Sequence, residues 1–222
     1  MLGRRHLKCL LAIGGVMLAS WWMNSVASGA TAPFRRTGFV LTSTTFKDGG
    51  MMPKRTASCN GGENISPQLS WANAPVAADM LNPNLVRGAT ENFGPLVKSF
   101  AITEVTEEGG QGIVGVNMVI YGIPANVSSF AEGELNKPFS SGKFVVGRSG
   151  PPARIRPAGE DGTWRGPCAP AGAKPHHYII KIMATNLDPK ELPPGLSLVE
   201  FLAKLKDVDP DTTALVGLYA NP

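Results

Sequence analysis

The chain reads as mainly β, with one convincing helix near its C-terminus. Three observations point there. Six runs of β-branched, aromatic and apolar residues stand at strand length, 26 glycines and 19 prolines punctuate the chain, and helical periodicity emerges clearly once. Many short strands broken by Gly and Pro are what an all-β sandwich or barrel requires.

Taken in order, "GFVLTSTTF" (38–46) mixes β-branched and aromatic residues. "CNGGENISPQLSW" (59–71) concentrates turn formers, then closes on an alternating Leu-Ser-Trp. "VKSFAITEV" (97–105) alternates, with Val97, Ser99, Ala101, Thr103 and Val105 on one side and Phe100, Ile102 and Glu104 on the other. "VNMVIYGIP" (116–124) is almost continuously apolar, as a strand buried on both faces would be. "KFVVG" (143–147) is short, "HYIIKIMATN" (177–186) long and apolar, and "ALVGLYA" (214–220) closes the chain. The helix begins at Ser197, which with Glu200 makes a capping box. Leu198, Phe201, Leu202 and Leu205 then recur at helical spacing, a stripe for core packing. Residues 76–96, 106–115 and the proline-rich 148–175 read as long loops, which in a small domain are usually functional or mobile.

The first thirty of the 222 residues look like an export signal. "MLGRRHLK" is basic, "CLLAIGGVMLASWWM" is apolar, and "SVASGATA" offers small residues, with cleavage expected after Ala30. The apolar run is shorter than the roughly 20 residues that span a bilayer as a helix. A cleaved signal is the preferred reading over an uncleaved anchor, with no stable membrane insertion afterwards. The arginine pair leaves open whether export uses the general or the twin-arginine route. Residues 31–222 are then one domain in the bacterial periplasm or outside the cell. Losing Arg4, Arg5 and Lys8 leaves 18 basic against 17 acidic residues, close to neutral. Nucleic-acid binding wants a concentrated basic patch, and Arg148, Arg154, Arg156 and Arg165 lie among Pro and Gly as a solvated loop would.

Beyond the signal, two cysteines remain, Cys59 and Cys168, each in a Gly/Pro-rich loop. A disulfide is the first reading in an oxidising compartment, and two free buried thiols are the alternative. A metal site is not expected, because only His176 and His177 accompany the thiols there. Neighbours on a strand point to opposite faces, so the two histidines cannot serve one ion, though one can face a pocket. Tyr178 shares a face with His176. The stretch before them, "TWRGPCAPAGAKP", makes a rigid loop. Rigid backbone with free N–H groups beside an imidazole is a plausible anion seat. Composition alone favours a structural loop with a satisfied histidine. No Gly-x-Ser-x-Gly elbow is present.

Four segments carry a resemblance. "CNGGENISPQLSW" resembles the Asn-x-Ser-Pro-x-Leu-x-Trp signature of the phosphatidylethanolamine-binding protein family, in its bacterial Raf-kinase-inhibitor-like branch. "SFAITEV…NMVIYGIPA", "GPCAPAG…HHYIIKIMA" and "LPPGLSLVEFLAKL…ALVGLYA" resemble its later elements, in family order. The resemblance implies antiparallel sheets in a Greek-key sandwich with one or two short helices near the C-terminus. It also implies a small pocket for phosphate-like or phospholipid head groups, with no cofactor. By position, His176 and Tyr178 line that pocket, Pro170 and Gly166 shape its rim, and Trp164 stands where the family has an aromatic. Asn64, Ser66 and Pro67 brace it from behind. Two departures stand out: Thr106-Glu107-Glu108 where the family has an Asp-Pro-Asp-like motif, and Asn117-Met118 where it has His-Trp. Thr106, Glu108 and Asn117 therefore complete the expected lining.

The leading reading is an exported, non-catalytic binding protein for a small anionic ligand or phospholipid head group. One alternative is a hydrolase with His176 as general base and Glu107 or Glu108 as its partner. Another is a protein-interaction module acting through the insertions at 76–96 and 151–161. A homodimer is left open.

Overall fold

The computed structural model describes residues 38–74, 97–109, 114–136, 143–148, 164–205 and 211–221. The export-signal reading, the insertions at 76–96 and 151–161, and Arg154 and Arg156 lie outside these residues. The described strands are β1 (Val40–Thr42), β2 (Gly50–Met51), β3 (Leu69–Ala72), β4 (Ser99–Thr106), β5 (Gly115–Pro124), β6 (Ser129–Phe130), β7 (Val145–Val146), β8 (His176–Thr185) and β9 (Asp211–Tyr219), with helix α1 (Leu198–Lys204) before β9.

They form two sheets. The smaller runs β1-β3-β6 and the larger β2-β9-β8-β4-β5-β7. All pairings between these strands are antiparallel except the short β2–β9 pair. The expected mainly-β, antiparallel architecture with little helix is what the chain adopts. Strands β4, β5 and β8 fall on the runs read at 97–105, 116–124 and 177–186, and each is buried over most of its length.

Alternation gives the large sheet two apolar faces. On one, Phe100, Ile102, Met118, Ile120, Ile180, Ile182 and Leu215 pack in a common core with Leu41, Leu69, Trp71 and Phe130 of the small sheet. Trp71 meets Phe100 edge-on with ring centres 5.6 Å apart, and Phe130 at the same separation. On the other face, Ala101, Val119, Tyr121 and Met183 pack with Leu192, Phe201 and Leu205. Tyr121 stacks on Phe201 at 5.1 Å, and its hydroxyl donates to the Pro193 carbonyl (2.6 Å) and accepts from Leu196 N–H (3.0 Å). Burying each large apolar side chain contributes about 1.5–3 kcal/mol before entropy is subtracted. The capping box at Ser197 is present, both halves made. The Ser197 backbone N–H, with Arg148 and the Ser197 side chain, holds the Glu200 carboxyl down to about 2.

Three local differences from the sequence reading have physical reasons. The 38–46 run pairs only over Val40–Thr42, because Ser43, Thr44 and Thr45 bond Gln68 instead of continuing the ladder. The 143–147 run contributes only Val145–Val146. Strands β2 and β6 are two residues each, too short to leave a periodic signal.

Cys59 and Cys168 form a disulfide, with Cα atoms 5.5 Å apart across 109 residues of sequence. It ties the 59–66 loop to the segment before β8. Removing the cross-link in a Cys59→Ala, Cys168→Ala variant should lower unfolding free energy by about 2–5 kcal/mol in urea titrations. A loss below about 1 kcal/mol would show that the bond holds little of the fold.

Candidate functional site

The site is built where β4 ends, β5 begins and β8 begins. Pairing across β4 and β8 sets Thr106 opposite Tyr178 and Glu104 opposite Ile180. Directly paired residues project to the same face, so Glu104, Thr106 and Tyr178 share the face that carries the inter-sheet core. On β5 the register shifts between Glu104 and Val105. Met118 pairs with Glu104 and Val116 with Val105, which leaves Asn117 as an extra residue. Such a bulge breaks strand alternation and re-aims a side chain, and here Asn117 is brought to act on Glu104.

Glu104 is the residue the sequence reading passed over. It is 0% exposed. Among the described residues, neither carboxyl oxygen has a hydrogen-bond partner of normal geometry, although the Asn117 side chain is close enough to offset part of the cost of charging it. Burial dominates and pushes this carboxyl well above the ordinary glutamate range. The Thr106 hydroxyl oxygen is likewise buried without a partner of normal geometry. Tyr178 is buried, and its hydroxyl accepts from the Cys168 backbone N–H at 3.0 Å. Burial raises the phenol's pKa, and Thr106 and Glu104 both act on it.

The remaining expected residues fall in three places. His176 is half-buried at the start of β8, opposite Tyr219 and on Tyr178's face by alternation. Glu108 lies elsewhere: it accepts from the His177 backbone N–H (2.8 Å) and meets His177 Nδ1 at 2.6 Å. Desolvation pushes the Glu108 carboxyl up, and these His177 contacts outweigh it, so it titrates below its ordinary value. Of the two carboxylates that the hydrolase reading offers His176, Glu108 is thus engaged with His177, which points to the opposite face of β8, and Glu107 is exposed.

Trp164, Gly166 and Pro170 belong to the segment leading into β8. Trp164 is buried, and its indole N–H donates to the Thr56 carbonyl at 3.2 Å. Its polar group is therefore spent on the fold. Gly166 must be glycine, since an added Cβ would sit 1.7 Å from the Thr56 oxygen. Pro170 is exposed, and its carbonyl accepts from Ala173 N–H.

The 59–71 stretch holds this segment in place. Asn64, at φ +55°, accepts from Gly166 N–H through Oδ1 (2.8 Å) and donates to the Trp164 carbonyl (3.3 Å). Ser58 donates to the Gly166 carbonyl at 2.7 Å. Ser66 accepts from Leu135 N–H through its hydroxyl (3.1 Å), and its own N–H donates to Asn136 (2.8 Å). The stretch braces the segment carrying Cys168, whose N–H meets Tyr178.

Fold and site together define a two-sheet β protein with a polar end to its inter-sheet core. A family model described as phosphatidylethanolamine-binding protein matches residues 42–220. The chain belongs to that family. Similar proteins include a UPF0098 protein of Methanothermobacter thermautotrophicus, 30% identical over 178 residues, covering 78% of this chain and 93% of the relative. A UPF0098 protein of Aquifex aeolicus is 27% identical, covering 80% and 85%. Among solved structures, the chain is similar to E. coli YbcL, described as a new member of the mammalian PEBP family, at TM-score 0.59 and 22% identity, covering 83% of this chain and 99% of that one. CT736 of Chlamydia trachomatis, described as a homologue of phosphatidylethanolamine-binding protein, gives TM-score 0.59 at 21% identity with the same coverage. At these identities the two structures speak for the fold alone.

A buried carboxyl without a hydrogen-bond partner of normal geometry costs stability. Replacing it with an apolar side chain of similar volume should therefore stabilise the protein, by about 1–3 kcal/mol for Glu104→Met. The pH dependence has a definite sign. A carboxyl whose folded value is raised contributes stability that is complete below its unfolded value, about 4.3, and is lost as pH rises through the folded value. The advantage of Glu104→Met should therefore widen from pH 4 upward, as read by thermal unfolding at several pH values. A less stable variant, or a gap that does not change with pH, would contradict this account of Glu104.

Proposed function

We propose that the chain is an exported binding protein that holds a small anion, such as a phosphate-like head group, at Glu104, Thr106, Asn117 and Tyr178, with His176 at the edge of the site. The observation that carries the reading is the buried polar pair, Glu104 and Thr106, without partners of normal geometry among the described residues, on a sheet face that is otherwise mostly apolar. A fold seldom keeps such groups in its core without a use for them. Their chemistry suits an anion. Thr106 and Tyr178 carry hydroxyls, Asn117 an amide, and a carboxyl kept neutral by burial can itself donate. The Tyr178 oxygen already accepts from Cys168 N–H, so its own proton is available to donate. Family membership supports a ligand-binding role. The Cys59–Cys168 disulfide suits an oxidising compartment and so supports export. With Glu108 engaged by His177 and Glu107 exposed, binding is a better reading than turnover at His176.

The test is a titration of the mature protein with inorganic phosphate and, separately, with phosphoethanolamine, followed by NMR shifts of Thr106, Asn117 and Cys168 amides. Both should perturb these amides saturably. Tighter binding of phosphoethanolamine would assign a head group, and equal binding would assign free phosphate. Thr106→Val and Tyr178→Phe should each weaken binding about tenfold, the equivalent of one lost hydrogen bond of roughly 1.4 kcal/mol. Unchanged spectra at millimolar ligand, or full affinity in both variants, would place the ligand elsewhere or remove it.

A further inference from the structure

We propose that anion binding at this site is coupled to protonation of Glu104: the site holds its anion with a neutral carboxylic acid and releases it when that acid ionises. This rests on the anion reading above and adds its regulation. The argument starts from geometry. Glu104 is fully buried between Ile102 and Thr106 on β4, with Met118 and Asn117 beside it on β5 and Ile180 and Tyr178 on β8. Neither of its oxygens has a hydrogen-bond partner of normal geometry among the described residues.

The groups facing it are few in kind. Strand β4 brings the Thr106 hydroxyl, and β5 brings the Asn117 amide and the Met118 thioether. Strand β8 brings the Tyr178 phenol, with His176 two residues beyond on the same face. Strand β9 sets Gly217 opposite Tyr178, where Met52 and Phe46 fill the space, and Tyr219 opposite His176. The segment before β8 brings the Cys168 N–H, which meets Tyr178, while Arg165 on that segment is exposed. Of the two acids in the turn after β4, Glu107 is exposed and Glu108 is engaged by His177.

In this setting the two protonation states of Glu104 do opposite things. The neutral acid presents an O–H donor beside the donors of Thr106, Asn117 and Tyr178, which together can surround an anion. The ionised carboxylate presents only acceptors and repels a second negative charge at close range. Burial, which favours the neutral form, leaves the free protein ready to bind. At pH values above the folded pKa of Glu104, each anion bound must bring one proton from solvent. Affinity then falls as pH rises, toward a limit of tenfold per pH unit.

Sulfate is the probe, because phosphate changes its own charge near neutrality and would obscure the effect. Sulfate affinity of the mature protein is measured from pH 5 to 9 by calorimetry in two buffers of different ionisation enthalpy. The expected result is affinity that declines with pH, with up to one proton taken up per sulfate. Glu104→Gln should bind sulfate with little pH dependence and no proton uptake, and His176→Asn should keep the wild-type slope. Wild-type affinity that is flat or rising with pH, a slope that survives in Glu104→Gln, or a slope lost in His176→Asn would each overturn the coupling. If Glu104→Gln fails to fold, the proton count of His176→Asn decides the matter: uptake that persists there assigns the proton to Glu104, and uptake lost there overturns the coupling. If no chain binds sulfate at pH 5, the anion reading itself fails, an outcome distinct from binding without proton linkage.

Discussion

A carboxyl group enclosed in an apolar sheet face is the constraint on which the rest of this site depends. Glu104 lies in phase with Phe100 and Ile102, residues that seal the space between the two sheets. An ionised acid there would need a partner, and none of normal geometry is present among the described residues. The neutral form is the one the fold can hold cheaply. Around it the end of the sandwich is polar in a restricted way: hydroxyl, amide and phenol, with His176 at the margin.

Much of the remaining architecture serves to fix that end. The segment 164–170 presents Cys168 N–H to Tyr178, and it would have little reason to stay in place alone. Asn64 bonds both Trp164 and Gly166, Ser58 bonds Gly166, Trp164 bonds Thr56, and the disulfide closes the same contact covalently. Gly166 permits the close approach because no larger residue fits against the Thr56 carbonyl. The turn-rich "CNGGENISP" stretch is thus a brace, in which Asn and Ser side chains do for irregular backbone what ladder bonds do for strands. Pre-ordered donors of this kind lower the entropic cost of holding a ligand.

The large elements were legible in sequence because their burial imposes a period. Alternation in β4 and the apolar runs of β5 and β8 follow from which faces are covered, while the capping box of α1 follows from the free N–H groups that a helix start must satisfy. Two-residue strands such as β6 leave no period to read. At the site, the resemblance directed attention to Thr106, Asn117, Tyr178 and His176, which the fold sets around the adjoining ends of β4, β5 and β8. It also directed attention to Glu108, which register instead delivers to His177. Glu104 was visible in the alternation as the single acid in phase with Phe100 and Ile102. Its importance emerged only from pairing, since the bulge that turns Asn117 toward it depends on how β4 and β5 register, and strand composition does not encode that.

The most direct measurement of the central claim is an infrared difference spectrum between the wild-type protein and Glu104→Gln at neutral pH. The account predicts the carbonyl stretch of a protonated carboxylic acid in the wild type, absent from the variant and shifted when an anion is added. A wild-type spectrum showing only the carboxylate bands of an ionised Glu104 at neutral pH would contradict it.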